Sequence, residues 1–325
     1  MNDILDQKLK KHLDDWMIRS VGIVDKNTFL VVADWDPKDN PKRKYLDGKD
    51  TFWTTILSFN SIENTIMGKV IHGGLGKCYL DGGYIQGKKQ ALVSSYNGIS
   101  YFFDYEKNTF SHEGIIEKVG IRNIKIIGDH FYLTSGACKI FRREKEDDWN
   151  LFSKQANDYW KKNNRGGSAQ AIDGFDENNI YFTTDQGLVW FYDGSTWEII
   201  DTPSNGNFTQ LICAEDKNIY IGGYQGKLMV GTEGQFKNVV TSRGAKKAGI
   251  NKMFAMVFFK GVLYGAMSHE LMMLKNGKWV TADIEGVYGV GYLATKDGVM
   301  LIGTKYSLYI FDGNEVQTLY DNSLR

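Results

Sequence analysis

Hydrophobic and polar positions alternate along this chain in short runs, and one run keeps returning: apolar, aromatic or Leu, apolar, small, then a polar turn. It reads Phe29-Leu30-Val31-Val32, Ala91-Leu92-Val93-Ser94, Phe131-Tyr132-Leu133-Thr134, Ile180-Tyr181-Phe182-Thr183, Ile219-Tyr220-Ile221-Gly222, Leu263-Tyr264-Gly265-Ala266 and Met300-Leu301-Ile302-Gly303. Runs of this length, bounded by Gly, Asn and Asp, are strand signals. Seven diverged copies at a spacing of roughly forty residues indicate a closed array of four-stranded units. The expected fold is all-β: a seven-bladed β-propeller of four-stranded antiparallel blades, preceded by a short N-terminal helical segment.

Each copy extends on both sides of this anchor run into an inner strand, the anchor strand, a third strand, a turn and an outer strand. The fourth copy shows it most fully, with Ala169 to Ile172, Ile180 to Thr184, Leu188 to Tyr192, the turn Asp193-Gly194-Ser195, and Trp197 to Ile200. The third-to-fourth turns carry Asp-Gly or Asn-Gly at Asp193-Gly194, Asn276-Gly277 and Asp312-Gly313, pairs that tolerate the positive φ of hairpin turns. With its aromatic, Asp-Gly, then Trp order, the stretch Tyr192-Asp193-Gly194-Ser195-Thr196-Trp197 resembles the bacterial propeller repeats of the two-component-regulator type; the motif is complete only in this copy. It also looks a little like the Asp-box of sialidases, without the usual Ser and its spacing. Trp35-Asp36 follows an anchor strand, so it does not stand where WD40 repeats carry their Trp-Asp. The resemblance implies a fold and no activity.

Residues 1 to 17 precede the first unit, and Leu5, Leu9, Leu13 and Trp16 fall on one helical face, with Asn2 or Asp3 available as a cap. The expected division is therefore an amphipathic segment over 1–17, packed on the rim or closing the ring, and a single propeller over 18–325.

Turns joining strands one to two and three to four lie on one face of a propeller, and the remaining connections lie on the other. On the first face the turns are short: Asp25-Lys26-Asn27, Gln86-Gly87-Lys88, Asp176-Glu177-Asn178 and Lys260-Gly261. The long excursions, residues 36–52, 153–167 and 242–249, belong to the second, and long loops on a rigid scaffold are where binding concentrates. They carry Lys42, Arg43, Lys44, Lys161, Lys162, Arg165, Arg243, Lys246 and Lys247, with Tyr45, Tyr159 and Trp160 among them. Cations mixed with aromatics form the composition of interface hot spots. These twelve residues are the expected partner-binding set, and the expected partner is a protein with an acidic surface.

Charge and cysteine content narrow the picture. The 325 residues hold 39 Lys plus Arg against 39 Asp plus Glu, a balance that argues against coating nucleic acid with the whole surface. Cys78, Cys138 and Cys213 fall in different units without ligand spacing, which suggests reduced, buried thiols. No apolar run resembles a secretory signal or reaches membrane-spanning length, so a cytoplasmic location without a membrane association is expected; the chain is expected to be a monomer.

Candidate chemistry is sparse. The five histidines are scattered, and His269-Glu270 lacks the second His of a zinc helix. The run His72-Gly73-Gly74-Leu75-Gly76-Lys77-Cys78 misses the first glycine and the Ser or Thr of a phosphate loop. Carboxylates are nearly absent from the inner strands, read as Ser20 to Ile23, Lys125 to Ile127, Ala169 to Ile172, Gln210 to Ile212, Met253 to Met256 and Val290 to Tyr292, so neither a hard-cation site nor a paired acid and base is expected there, and acids could reach the channel mouth only from loops. No metal, cofactor or catalytic residue is assigned. The leading expectation is a non-enzymatic protein-binding propeller, with toxin immunity in a bacterial cell as the role named for it. The alternative is a lyase or hydrolase acting on a sugar or lactone at the mouth of the axial channel.

Overall fold

A computed structural model describes residues 3–35, 53–72, 74–114, 120–232 and 234–322. Seven four-stranded sheets follow one another along the chain, each with its strands hydrogen-bonded in sequence order. Blades 1 to 7 span residues 16–72, 78–114, 123–151, 169–200, 208–240, 253–281 and 292–321, and every pairing within them is antiparallel.

All seven anchor runs fall on second strands: Thr28–Trp35, Lys88–Ser95, His130–Thr134, Asn179–Thr184, Ile219–Gly223, Val262–Met267 and Val299–Gly303. A second strand is paired along both edges and covered on both faces by neighbouring blades. It therefore reads as a continuous apolar run, where a half-exposed strand would alternate. Phe29, Leu30, Val31 and Val32 are all fully buried. The hairpins behave as their sequences suggest: Asp193 accepts hydrogen bonds from the N–H groups of Ser195 at 2.8 Å and Thr196 at 2.7 Å, and Gly194 adopts φ +94°.

Helix α1 (Asp3–Leu13) closes the ring. Leu5, Leu9 and Leu13 are buried in one cluster with Ile18 and Phe29 of blade 1 and Leu301, Leu308, Leu319 and Tyr320 of blade 7. Blades 1 and 7 share no strand, since each is built from one end of the chain alone. Their seam is held by that cluster, by the Ile18 N–H donating to the Lys305 carbonyl at 2.9 Å, and by the Tyr320 hydroxyl beside Asp14. The Lys8 ammonium donates to the Asn64 carbonyl at 2.9 Å, which fixes the helix to the far turn of blade 1.

Candidate protein-binding face

Two of the three long excursions contain helices where loops were expected. Helix α2 (Lys154–Asn163) fills most of 153–167, and helix α3 (Ser242–Lys247) fills most of 242–249. The apolar spacing that supports α2 is confined to a few positions: Ala156 is buried, and Tyr159 and Trp160 are half-buried against the core of blades 3 and 4. Tyr159 meets Trp190 edge-on with ring centroids 5.4 Å apart, and Gln155 accepts from the Trp197 N–H at 2.8 Å. Asn164, at φ +46°, ends the helix in the left-handed conformation. Helix α3 starts at Thr241, whose side chain accepts from the Gly244 N–H at 3.1 Å.

Lys161, Lys162 and Arg165 are exposed at and beyond the C-terminal end of α2, as are Arg243, Lys246 and Lys247 on α3. Cations near the last carbonyls of a helix offset its dipole, which gives Lys161, Lys162, Lys246 and Lys247 a local role as well. Lys161 also pairs with Asp158 at 3.2 Å. Tyr159 and Trp160 serve the packing of α2 with much of their surface. Lys42, Arg43, Lys44 and Tyr45 lie outside the described residues.

The fold gathers a second set of cations that the sequence does not advertise, around the channel mouth on this same face. Lys77 and Arg122 stand in the lead-ins to blades 2 and 3, Lys227 in the second-to-third turn of blade 5, and Lys252 in the lead-in to blade 6. Each lies over an aromatic ring: Lys77 over Tyr79 at 4.9 Å, Arg122 over Tyr96 at 5.6 Å, Lys227 over Phe208 at 5.0 Å and Lys252 over Phe254 at 4.6 Å. None of the four forms an ion pair among the described residues. Burial, and for Lys77 also the nearby Arg122, hold the Lys77 and Lys227 ammonium groups below the usual lysine range. Tyr96, Tyr224 and Tyr288 are exposed on this face, Tyr288 by 80%. A sequence signal existed only in the lead-in positions, where single cations precede inner strands.

The axial channel is a cavity of about 420 Å³, and two carboxylates stand on its wall where nearly none were expected on the inner strands. Asp81 and Asp173 both sit on inner strands, Cys78–Ile85 and Ala169–Asp176. The first strand interrupts its apolar pattern with polar residues, and the second continues past Ile172, so both acids escape an apolar-run reading. Each carboxylate ties its own blade to the next. Asp81 accepts from the N–H groups of Gly82 at 2.9 Å and Ile126 at 2.8 Å, and Asp173 from those of Gly174 at 3.0 Å and Cys213 at 3.1 Å. Inner strands of neighbouring blades are not paired as sheet, and the carboxylates satisfy the N–H groups left over. Lys125 pairs with Asp173 at 3.3 Å. Burial alone would lower the Lys125 pKa, but Asp173 and Asp81 outweigh it and hold the ammonium above its usual range. Lys296 of blade 7 donates to the Gly82 carbonyl of blade 2. The last inner strand runs Tyr292–Lys296, shifted along the chain from the expected Val290 to Tyr292.

No group of His, Cys, Asp and Glu suited to a metal ion occurs among the described residues. Cys78 and Cys138 are buried free thiols, each pushed by burial up to about 12, and Cys213 is a half-buried free thiol on the channel wall, raised further. No described helix is long and apolar enough to cross a membrane.

No protein-family model matches the chain. Over 201 residues, 60% of its length, it is 26% identical to the immune protein Tsi7 of Pseudomonas aeruginosa, and the match spans 62% of that protein. It is similar in structure to the WD40 β-propeller domain of Doa1, with a TM-score of 0.59, 12% identity and 90% of each chain covered. A chain of the mitotic checkpoint complex gives a TM-score of 0.57 at 8% identity, covering 88% of this chain and 84% of that one. The two structural likenesses show the fold alone; the chain is a seven-bladed β-propeller with sequence similarity to a curated immune protein.

Proposed function

We propose that this protein is a non-enzymatic, cytoplasmic immunity protein that neutralises a cognate bacterial toxin by docking on it as a monomer. The sequence likeness to Tsi7 carries the reading. The cations Lys77, Arg122, Lys227 and Lys252 of the loop-rich face, which form no ion pair among the described residues, support it, since such a face complements an acidic protein surface. The proposed contact set joins the exposed Lys161, Lys162, Arg165, Arg243, Lys246 and Lys247 to Lys42, Arg43, Lys44 and Tyr45, with Tyr159 and Trp160 contributing their open edges. The repeats are assigned to the two-component-regulator type on the turn from Tyr192 to Trp197. The enzyme alternative gains nothing from the channel: both oxygens of Asp81 and of Asp173 already accept backbone hydrogen bonds, which leaves neither placed as a free acid or base.

The test is affinity capture from native cells across a salt gradient, followed by expression of the captured protein with and without this chain. A single stoichiometric partner that arrests growth alone, and does not when this chain is co-expressed, is the expected result. Capture of no partner, or a partner whose toxicity this chain leaves unchanged, would overturn the proposal.

A further inference from the structure

Three segments meet in a notch at the channel mouth between blades 2 and 3. The Tyr96 N–H donates to the Lys77 carbonyl at 2.7 Å, and the Ile121 N–H donates to the Tyr96 carbonyl at 2.8 Å. Those bonds lock the lead-in of blade 2, the second-to-third turn of the same blade and the lead-in of blade 3 to one another. Gly120 lets the Tyr96 ring close down: a Cβ there would come within 2.7 Å of the Tyr96 hydroxyl and ring. The Arg122 N–H donates to the Thr134 carbonyl at 3.0 Å, which fixes the backbone that presents the guanidinium.

The side chains in this rigid frame are electrostatically unfinished. Arg122 lies over Tyr96, and Lys77 lies over Tyr79 close enough to Arg122 for the guanidinium to depress its pKa. The Arg122 Nε is buried and has no hydrogen-bond partner among the described residues. A buried, unmade hydrogen bond costs about 1–3 kcal/mol, more when the group is charged. Neither cation has a carboxylate partner among the described residues, whereas Arg19, elsewhere on the same face, is met by Asp34 at 3.0 Å. Two preorganised cations close enough to interact, each over its own aromatic ring, form a receptor for one anionic group.

We propose that the Lys77–Tyr96–Arg122 notch captures a carboxylate side chain, Asp or Glu, presented by the docked protein partner, and so sets the register of docking at the channel mouth. This rests on the docking reading for the source of the carboxylate. A protein carboxylate fits better than a nucleic-acid backbone because the notch offers two cations at one point, and duplex binding needs a track of them.

The probe is an N-acetylated, C-amidated tetraglutamate, titrated calorimetrically into the purified full-length chain at low salt. Arg122→Gln and Lys77→Gln should each weaken binding about tenfold, the loss of roughly one charge-assisted hydrogen bond. Lys26→Gln, an exposed lysine on the opposite face, should change it by less than about twofold. Inorganic phosphate at matched ionic strength should not displace the peptide. Equal effects of Arg122→Gln and Lys26→Gln, no peptide binding by the unaltered chain, or displacement by phosphate would each overturn the assignment. So would a tenfold gain on Glu117→Gln, since the chain's own carboxylate would then be the occupant. A toxin captured undiminished by Arg122→Gln would refute the notch and leave the docking reading standing. Absence of any toxin partner would refute the docking reading, with the peptide titration still deciding the notch.

Discussion

The channel wall and the rim of its mouth use charge in opposite ways. Within the ring, Lys125 lies against Asp173 and is drawn by Asp81. Between the outer strand of blade 2 and the third strand of blade 3, Glu113 and Arg143 form a bidentate pair with contacts of 2.8 and 3.0 Å. On the rim, Lys77, Arg122, Lys227 and Lys252 lie over aromatic rings without an anionic partner among the described residues. Charges that the fold itself needs are paired and tied to backbone. Charges left unpaired on a rigid frame raise the energy of the isolated protein, and a partner can lower it again.

The largest effect that would test this contrast comes from Glu113→Ala. Glu113 is 1% exposed and Arg143 12%, so the variant strands a buried guanidinium and should lose about 3–5 kcal/mol in denaturant unfolding. A loss below about 1 kcal/mol would mean that the paired charges are not structural. Lys125→Met comes next, because it leaves Asp173, only 6% exposed, facing the channel alone. Lys125 itself is 39% exposed to the channel, and solvent screening reduces the expected loss to about 1–3 kcal/mol.

How much of this was readable beforehand follows from burial. Second strands are covered on both faces, so Phe29 to Val32 and their counterparts stand out as unbroken apolar runs, and the Asx-Gly turns mark the hairpins between third and outer strands. Inner strands were read less well, because half of each faces the channel: Asp81 and Asp173 break the pattern at the positions that matter. Helix α2 was hidden because Ala156, Tyr159 and Trp160 are few apolar residues among many charges. The rim cations were invisible for a different reason, since Lys77 and Arg122 come from separate blades and only the packing of neighbouring blades brings them together.

Smaller effects sharpen the rim side of the comparison. Lys77→Gln and Arg122→Gln should each leave the unfolding free energy unchanged or raise it, by up to about 1–3 kcal/mol at Arg122 where an unmade buried hydrogen bond is removed, in contrast to Glu113→Ala. A loss of 2 kcal/mol or more, roughly the scale of a broken buried network, would move these residues to the structural class. The pH dependence carries a definite sign. The Lys77 pKa lies below its usual 10.5 in the folded chain, so between the depressed value and 10.5 the unfolded chain binds more protons and stability rises with pH. Lys77→Gln should flatten that rise in unfolding curves across the alkaline range, and an unchanged slope would show that the ammonium is not held in a disfavoured state.

The central claim is that the loop-rich face, with the cation-lined mouth at its centre, is where a protein partner docks. Hydrogen–deuterium exchange of the chain, free and bound to the partner captured from native cells, tests this most directly. The account predicts protection at 96–98, 120–122, 224–227 and 242–252, with the tight turns at 86–87, 176–178 and 260–261 unchanged. Protection confined to those tight turns, with 96–98 and 120–122 exchanging as in the free chain, would contradict it.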